Sequence, residues 1–396
     1  MTNTTLTKPQ LDLFFSCMRY VLRDTPIEDK TLFDDMESMK ILLKFCRFHS
    51  IGHLFSYAVM QNGYSTDDNE FLAALQKVRN IEIFYYERMQ FDFAQVEELL
   101  QREKIPYIPL KGAVMRALYK EPWYRNSCDI DILVKKEDFA RASTLIVQEL
   151  SFEEKERTEH DVSLYSPMNV HLELHFSLIE NEKWQKGKTS VTKILSDVWK
   201  DAKVKNGCEY QMSDAYFYFY HISHMAKHFE CGGCGIRPFL DLWILNNVCQ
   251  ADKEGRLQLL KKAELVQFDL VMQKLSRVWF DGEPYDDFTK EVEKYLFEGG
   301  VYGTLQNRVT VQQAKFGGKI GYFFRRLFLT YKQLCMQYPK LEKCWLLYPY
   351  YTVKRWFRLL FDKESKERTN AELNAAAEVS KEEQKERATF LQKLGL

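Results

Sequence analysis

Two aspartates separated by one residue open an apolar run of six residues, Asp129-Ile130-Asp131-Ile132-Leu133-Val134. Side chains two residues apart in a β-strand point to the same face of the sheet. A strand over this run therefore places Asp129 and Asp131 on one face, with Cα atoms roughly 6–7 Å apart. Ile130, Ile132 and Val134 then lie on the opposite face, against a core. The run predicts a strand with one acidic and one apolar face.

Two carboxylates on one strand face have two interpretations. Like charges at this separation repel each other unless a counter-ion lies between them. Oxygen ligands suit Mg²⁺, which usually keeps waters and substrate phosphates in its shell, and paired metal ions in phosphoryl-transfer sites lie about 3.5–4 Å apart. The first interpretation of Asp129 and Asp131 is therefore a Mg²⁺ site. The second is an ordinary solvent-exposed strand face.

A second alternating run, Val170 to Phe176, carries another carboxylate. Its odd-numbered residues, His171, Glu173 and His175, share one face of the predicted strand. If this strand lies near Asp131, Glu173 either completes the metal site or accepts a proton from an attacking hydroxyl. The alternative is an ordinary amphipathic strand whose histidines are simple polar-face residues.

The hydrophobic periodicity divides the chain into four parts. Apolar residues recur at helical spacing up to residue 104, short alternating runs dominate the stretch from residue 105, and helical spacing returns from about residue 210. We predict an N-terminal helical region at 1–104, an α/β core at 105–209, a C-terminal helical domain at 210–362 and a charged helical tail at 363–396.

The composition limits the partners and the compartment. Lys plus Arg and Asp plus Glu both number 56, so the formal net charge is zero. This balance gives no reason to expect a nucleic-acid or membrane partner. The N-terminus lacks the pattern of a signal peptide, and nine scattered cysteines are typical of reduced thiols. We expect a cytoplasmic protein; its oligomeric state cannot be predicted.

A Lys-Gly pair precedes the aspartates and offers phosphate contacts. Lys111-Gly112 lies between a predicted strand and a predicted helix. A glycine there lets the backbone approach a phosphate, and helix N-terminal amides suit an anion. Arg125, four residues before Asp129, is a further candidate, with an ordinary surface arginine as the alternative.

The order of these pieces resembles the DNA polymerase beta-like nucleotidyltransferases. The usual turn of that superfamily ends in Gly-Gly or Gly-Ser, whereas this chain has Gly112-Ala113. A bacterial family of uncharacterised nucleotidyltransferases is more similar. The shared motifs are Lys111-Gly112, Arg125, Asp129 to Val134 and Glu173-Leu174-His175, and the resemblance extends over about residues 30–360.

The resemblance implies an α+β fold, in which a small mixed β-sheet nucleotidyltransferase core is flanked by helices and embedded between large helical regions. It implies transfer of a nucleoside monophosphate from an NTP, with ATP as the expected donor, and release of pyrophosphate. The resemblance does not supply the acceptor, for which the leading hypothesis is a hydroxyl of a small molecule or protein. Mg²⁺ would be held by Asp129, Asp131 and Glu173, which are also the catalytic residues.

Three further residues are candidates for the substrate side of the site. His175 follows Glu173 on the polar strand face, and Arg237 and Asp241 lie four residues apart on a predicted helix. Asp241 would orient or deprotonate the acceptor hydroxyl. The alternative for Arg237 and Asp241 is an ion pair on one helix face, stabilising by a few tenths of a kcal/mol.

Other possible sites and other possible functions have less support in the sequence. Cys231 and Cys234, with His224 and His228, offer four potential zinc ligands, but a second Cys-x-x-Cys pair is missing from the sequence. The three histidines at 221, 224 and 228 share a helix face, which either packs normally or points at the cleft. A catalytically inactive nucleotide-binding or interaction module of the same fold is the alternative function, favoured only by Ala113. Nucleic-acid polymerisation is disfavoured because no basic stripe is present.

Overall fold

The computed structural model describes residues 6–158, 160–179, 189–301, 303–331, 334–335, 338, 341 and 344–396. It has the predicted α+β class. The N-terminal helices are α1 (Lys8–Arg23), α2 (Met36–Phe48), α3 (Gly52–Gln61) and α4 (Asn69–Arg102). The Asp68 carboxylate caps α4 by accepting a hydrogen bond from the Phe71 amide at 2.9 Å, because the first amides of a helix lack intrahelical partners.

A seven-stranded mixed sheet forms the centre, with strand order β3-β4-β5-β2-β1-β7-β6. The strands are β1 (Tyr107–Pro109), β2 (Asp129–Val134), β3 (Glu153–Arg157), β4 (Asp161–Tyr165), β5 (His171–His175), β6 (Lys203–Asn206) and β7 (Glu209–Gln211). Strand β2 lies parallel to β5 and antiparallel to β1. The short α5 (Lys111–Met115) follows β1, and α6 (Lys136–Leu150) follows β2.

The predicted strands β1, β2, β4 and β5 are confirmed, and three strands were missed. Strands β3 and β6 are the two edges of the sheet and are exposed at every residue. The β3 sequence, Glu-Glu-Lys-Glu-Arg, has no apolar alternation. Charged side chains are common on edge strands because they discourage pairing with other chains, so these strands form through hydrogen bonding to a neighbour.

The apolar face of the sheet packs on two helices. Ile130, Ile132 and Val134 are buried there with side chains of α4 and α6, among them Leu99 and Ile146. Burial of this face turns the side chains of Asp129 and Asp131 to the opposite side. The strand register thus decides where the carboxylates lie.

The C-terminal helices cover the carboxylate side of the sheet and join the N-terminal ones. They follow the short α7 (Thr189–Ser196) and α8 (Val198–Asp201), and are α9 (Asp214–Glu230), α10 (Arg237–Asn247), α11 (Lys253–Lys262), α12 (Val266–Asp281), α13 (Asp287–Gly299), α14 (Leu305–Lys315), α15 (Gly318–Leu327), α16 (Tyr348–Phe361), α17 (Lys363–Glu378) and α18 (Lys381–Leu394). Phe15 of α1 stacks on Trp279 of α12, with ring centroids 5.6 Å apart. Phe390 of α18 is buried in the same core, so the charged tail is anchored at its end. The division at residues 104, 209 and 362 stays a prediction.

Within the described residues, every helix is too short or too polar to cross a lipid bilayer.

Candidate active site

The carboxylates predicted on two strands meet on one face of the sheet. The parallel pairing of β2 with β5 sets Asp131 beside Glu173 and Asp129 beside His171. Carboxylate oxygens of Glu173 lie within 4.8 Å of oxygens of both Asp129 and Asp131. Glu173 therefore lies close to each aspartate, in one potential ligand group with Asp129 and in another with Asp131.

The three carboxylates differ in their charge environment. Burial raises the pKa of Asp129, and the neighbouring charges of Asp131 and Glu173 raise it further. Burial also acts to raise the pKa of Asp131, but Lys111 and His175 outweigh it and hold that pKa below the ordinary value. The Lys111 ammonium lies 2.8 Å from Asp131 Oδ1, so Asp131 is a paired anion while Asp129 faces like charges.

His175 contacts the carboxylates of both Asp131 and Asp161. Its Nε2 lies 3.0 Å from Asp131 Oδ1, and its Nδ1 lies 3.6 Å from Asp161 Oδ2. Burial alone would lower the pKa of His175, but hydrogen bonds to Asp131 and Glu173 raise it to about 9. The imidazole is thus held between two carboxylates. The observed contacts of His175 are with Asp131 and Asp161. Its substrate-binding role stays a prediction.

The Lys-Gly turn holds Lys111 against Asp131 through a strained backbone and a close contact. Lys111 has a φ of +38°, in the left-handed region that side chains other than glycine rarely adopt. Gly112 lies so close to Ser127 that an added Cβ would come within 3.1 Å of its Oγ. The packing of the turn on the segment before β2 therefore leaves little room for a side chain at residue 112. The phosphate-binding roles predicted for Lys111 and Gly112 stay predictions.

Arg125 forms a buried ion pair with Asp241. Its Nε donates to both Asp241 oxygens at 2.8 Å, and both side chains are buried. The Tyr119 hydroxyl donates to Asp241 Oδ1 at 2.8 Å. The pair joins the segment before β2 to α10. The partner of Asp241 is therefore Arg125, in the segment before β2. The helical spacing had suggested an ion pair with Arg237 as the alternative to a substrate role for Asp241.

Arg237 contacts the same segment from α10. Its Nη1 donates to the Asn126 carbonyl at 3.1 Å and to Asn126 Oδ1 at 3.3 Å, while its buried Nε has no hydrogen-bond partner among the described residues. Arg237 and Asp241 both line the cleft above the carboxylates. Their predicted substrate roles stay predictions, and their observed contacts position the strand that carries Asp129.

A basic helix face lies across the cleft from the carboxylates. His221, His224, Lys227 and His228 of α9 line the same cavity as Asp129, Asp131 and Glu173. The cavity measures about 1120 Å³ including the solvent space in its open mouth. The shared face of the three histidines was visible in the sequence, but Lys227 was missed as a cleft residue.

His224 and His228 of α9 contact each other on the cleft wall. Nε2 of His224 lies 3.2 Å from Nε2 of His228, so one ring donates and the other accepts. Burial lowers the pKa of His224 well below its ordinary value, and His228, Lys111 and Lys227 lower it further. The positive charges of Lys111 and Lys227, which disfavour protonation of His224, would attract a bound anion.

The potential metal ligands near the cleft combine carboxylates with histidines. The groups of potential ligands among the described residues contain only His, Asp and Glu, and two of the three include Glu173. Carboxylate oxygens suit Mg²⁺. Cys231 and Cys234 take part in none of these groups, although Cys234 lines the cleft.

Comparison with known proteins gives a single match. A family model described as an uncharacterised nucleotidyltransferase covers residues 36–281. No curated protein and no solved structure matches the chain significantly. The matched range contains the sheet, the three carboxylates and the α9 face, and it ends before the C-terminal stretch up to residue 360 that the sequence resemblance had included. The chain belongs to this family of uncharacterised nucleotidyltransferases.

Proposed function

We propose that the protein is a Mg²⁺-dependent nucleotidyltransferase. It moves a nucleoside monophosphate from an NTP, with ATP as the expected donor, to a hydroxyl of a small molecule or protein. One observation carries the proposal: Asp129, Asp131 and Glu173 line one wall of a cleft whose opposite wall is basic. A triphosphate bound between these walls meets a cation site on one side and basic nitrogen groups on the other.

The reaction forms one bond and breaks one. The acceptor oxygen bonds to the α-phosphorus as the bond to the β-phosphate oxygen breaks, and pyrophosphate leaves. Asp129, Asp131 and Glu173 would hold Mg²⁺, which when bound offsets the charge on the attacking and leaving oxygens. We assign the hydroxyl proton to Glu173, because its side chain is 25% exposed at the cleft while that of Asp131 is 3% exposed.

Lys111 and His175 keep Asp131 ionised and oriented. Both donate toward the same oxygen, Oδ1. Such support of a ligating carboxylate fixes its geometry before the substrate arrives. Lys227 lines the cleft together with the three carboxylates, and we assign the outer phosphates to the α9 face, with Lys227 as the cationic group.

Replacing Lys227 with Met tests the assignment to α9. We expect the dissociation constants of ATP and pyrophosphate to rise about 10- to 100-fold, because a hydrogen bond to a charged group contributes about 1.5–3 kcal/mol. Adenosine affinity should stay unchanged. Isothermal titration calorimetry measures all three, with Lys262→Met, an exposed lysine on α11, as the matched control. Equal loss of adenosine and pyrophosphate affinity would contradict a specific phosphate role.

A thermal-shift panel tests the proposed function itself. We expect at least one of the four NTPs to raise the melting temperature only when Mg²⁺ is present, since a ligand that binds the native state alone adds about 2.7 kcal/mol at 100 times its dissociation constant. Pyrophosphate release in the presence of candidate hydroxyl acceptors then measures turnover. Binding without pyrophosphate release from any acceptor would favour the inactive module, and no Mg²⁺-dependent shift with any NTP would contradict the proposal.

A further inference from the structure

Helix α16 exposes a strip of large apolar side chains. Tyr350, Val353, Phe357 and Phe361 follow one another at intervals of three or four residues and so lie on one helix face. Tyr350 is 60%, Phe357 58% and Phe361 77% exposed. Contiguous exposed apolar side chains of this kind are costly in water and mark an interaction surface.

Helix α15 extends this apolar surface. Ile320, Phe323, Phe324 and Phe328 are also exposed. The indole Nε1 of Trp356 donates to the Leu327 carbonyl at 2.8 Å, and the rings of Phe328 and Trp356 lie 5.3 Å apart. These contacts pack the end of α15 against α16. Just before α16, Trp345 is 71% exposed.

The apolar strip lies in the most basic part of the chain. Residues 318–361 contain nine Lys and Arg and one acidic residue, Glu342, although the whole chain has equal numbers of both signs. Lys354 and Arg358 are exposed on α16 beside the strip. The overall charge balance hides this local excess because acidic residues are concentrated elsewhere in the sequence.

We propose that α15 and α16 bind the surface of an anionic phospholipid bilayer, with the protein held peripherally. Phe, Tyr and Trp side chains on one face of an amphipathic helix enter the boundary between headgroups and acyl chains, while flanking Lys and Arg contact lipid phosphates. A second copy fits this surface less well, because a two-fold contact would bring two basic surfaces together. The segment lies outside the family match at 36–281, and the proposal is independent of the proposed enzymatic function.

Vesicle co-sedimentation with the full chain tests this proposal. We expect binding to vesicles of phosphatidylcholine mixed with phosphatidylglycerol, little binding to phosphatidylcholine alone, and weaker binding as salt rises. Phe357→Glu should weaken the binding at least about tenfold, since a charge enters the lipid-facing strip. Leu270→Glu, which places the same charge at a 55% exposed apolar position on α12, should bind like the wild type.

A variant that removes two positive charges distinguishes electrostatic attraction to anionic lipid from nonspecific adsorption. Replacing both Lys354 and Arg358 with Gln should reduce the preference for anionic vesicles, whereas Lys261→Gln with Lys262→Gln on α11 should not. Unchanged melting temperatures show that the variants fold, and Phe361→Glu replaces Phe357→Glu if that variant is unstable. Equal binding of both vesicle types, no binding to either, or a dimer in sedimentation that Phe357→Glu dissociates would overturn the proposal.

Discussion

The variant Asp129→Asn will melt at a higher temperature than the wild type without metal, Asp131→Asn will melt at a lower one, and both will lose Mg²⁺-dependent nucleotide binding. The two aspartates lie on the same strand face, yet their surroundings differ. Asp129 is half-buried, and the loss of hydration together with the like charges of Asp131 and Glu173 raises its pKa. A neutral amide at this position removes the repulsion.

Asp131 has the opposite environment. Its Oδ1 lies 2.8 Å from Lys111 Nζ and 3.0 Å from His175 Nε2. Asparagine would leave the buried Lys111 ammonium without its counter-ion, and breaking one side of a buried pair costs about 3–5 kcal/mol. The gain from Asp129→Asn is smaller, about 1 kcal/mol, which is typical of a residue kept for function at the expense of stability.

Differential scanning fluorimetry without metal, and with Mg²⁺ plus ATP, measures both effects. In a turnover assay each variant should fall by about 10³-fold, since a metal site supplies several kcal/mol of transition-state stabilisation and each 1.36 kcal/mol is tenfold in rate. Glu156→Gln removes the same charge from the exposed β3 edge and should change neither quantity. If both Asn variants bound ATP and Mg²⁺ like the wild type, the carboxylates would not be the metal site.

Breaking the ion pair between Arg125 and Asp241 is expected to have the largest effect on folding. Arg125→Met or Asp241→Leu alone should lower the free energy of unfolding by about 3–5 kcal/mol, because each leaves a buried charge unpaired. The double variant should recover part of this loss, since it leaves no isolated charge. Urea denaturation measures all three, and Asp197→Asn, which breaks the exposed pair with Lys200, should cost at most about 1 kcal/mol.

The same pair is expected to affect the cleft. It links α10 to the segment that leads into Asp129, so its loss should loosen both walls and weaken ATP binding in each single variant. A single variant with wild-type stability would contradict the burial of the pair. A destabilised variant with unchanged ATP affinity, measured where the protein is still folded, would contradict its positioning role.

The sequence predicted the acidic strand face because alternation along a strand is a local property. Asp129, Asp131 and Glu173 stand at positions whose neighbours in the chain are apolar, and burial of those neighbours turns the carboxylates outward together. The same argument predicted β2, β4 and β5, whereas β1 was predicted from a short run rich in proline and β-branched residues. It missed β3 and β6, whose residues are all exposed, because nothing in a charged edge strand repeats with the period of the sheet.

The tertiary structure decided which charged side chains pair with each other and which face the cleft. Sequence spacing linked Arg237 to Asp241 and left Arg125 for phosphate, whereas the fold pairs Arg125 with Asp241 across 116 residues. It also turned the α9 histidines and Lys227 toward the cleft, which a helix pattern alone cannot fix because the helix has apolar neighbours on several sides. The chain determined by itself which residues share a face. Only packing between distant segments determined which faces meet, because contacts of that kind depend on the whole fold and not on local periodicity.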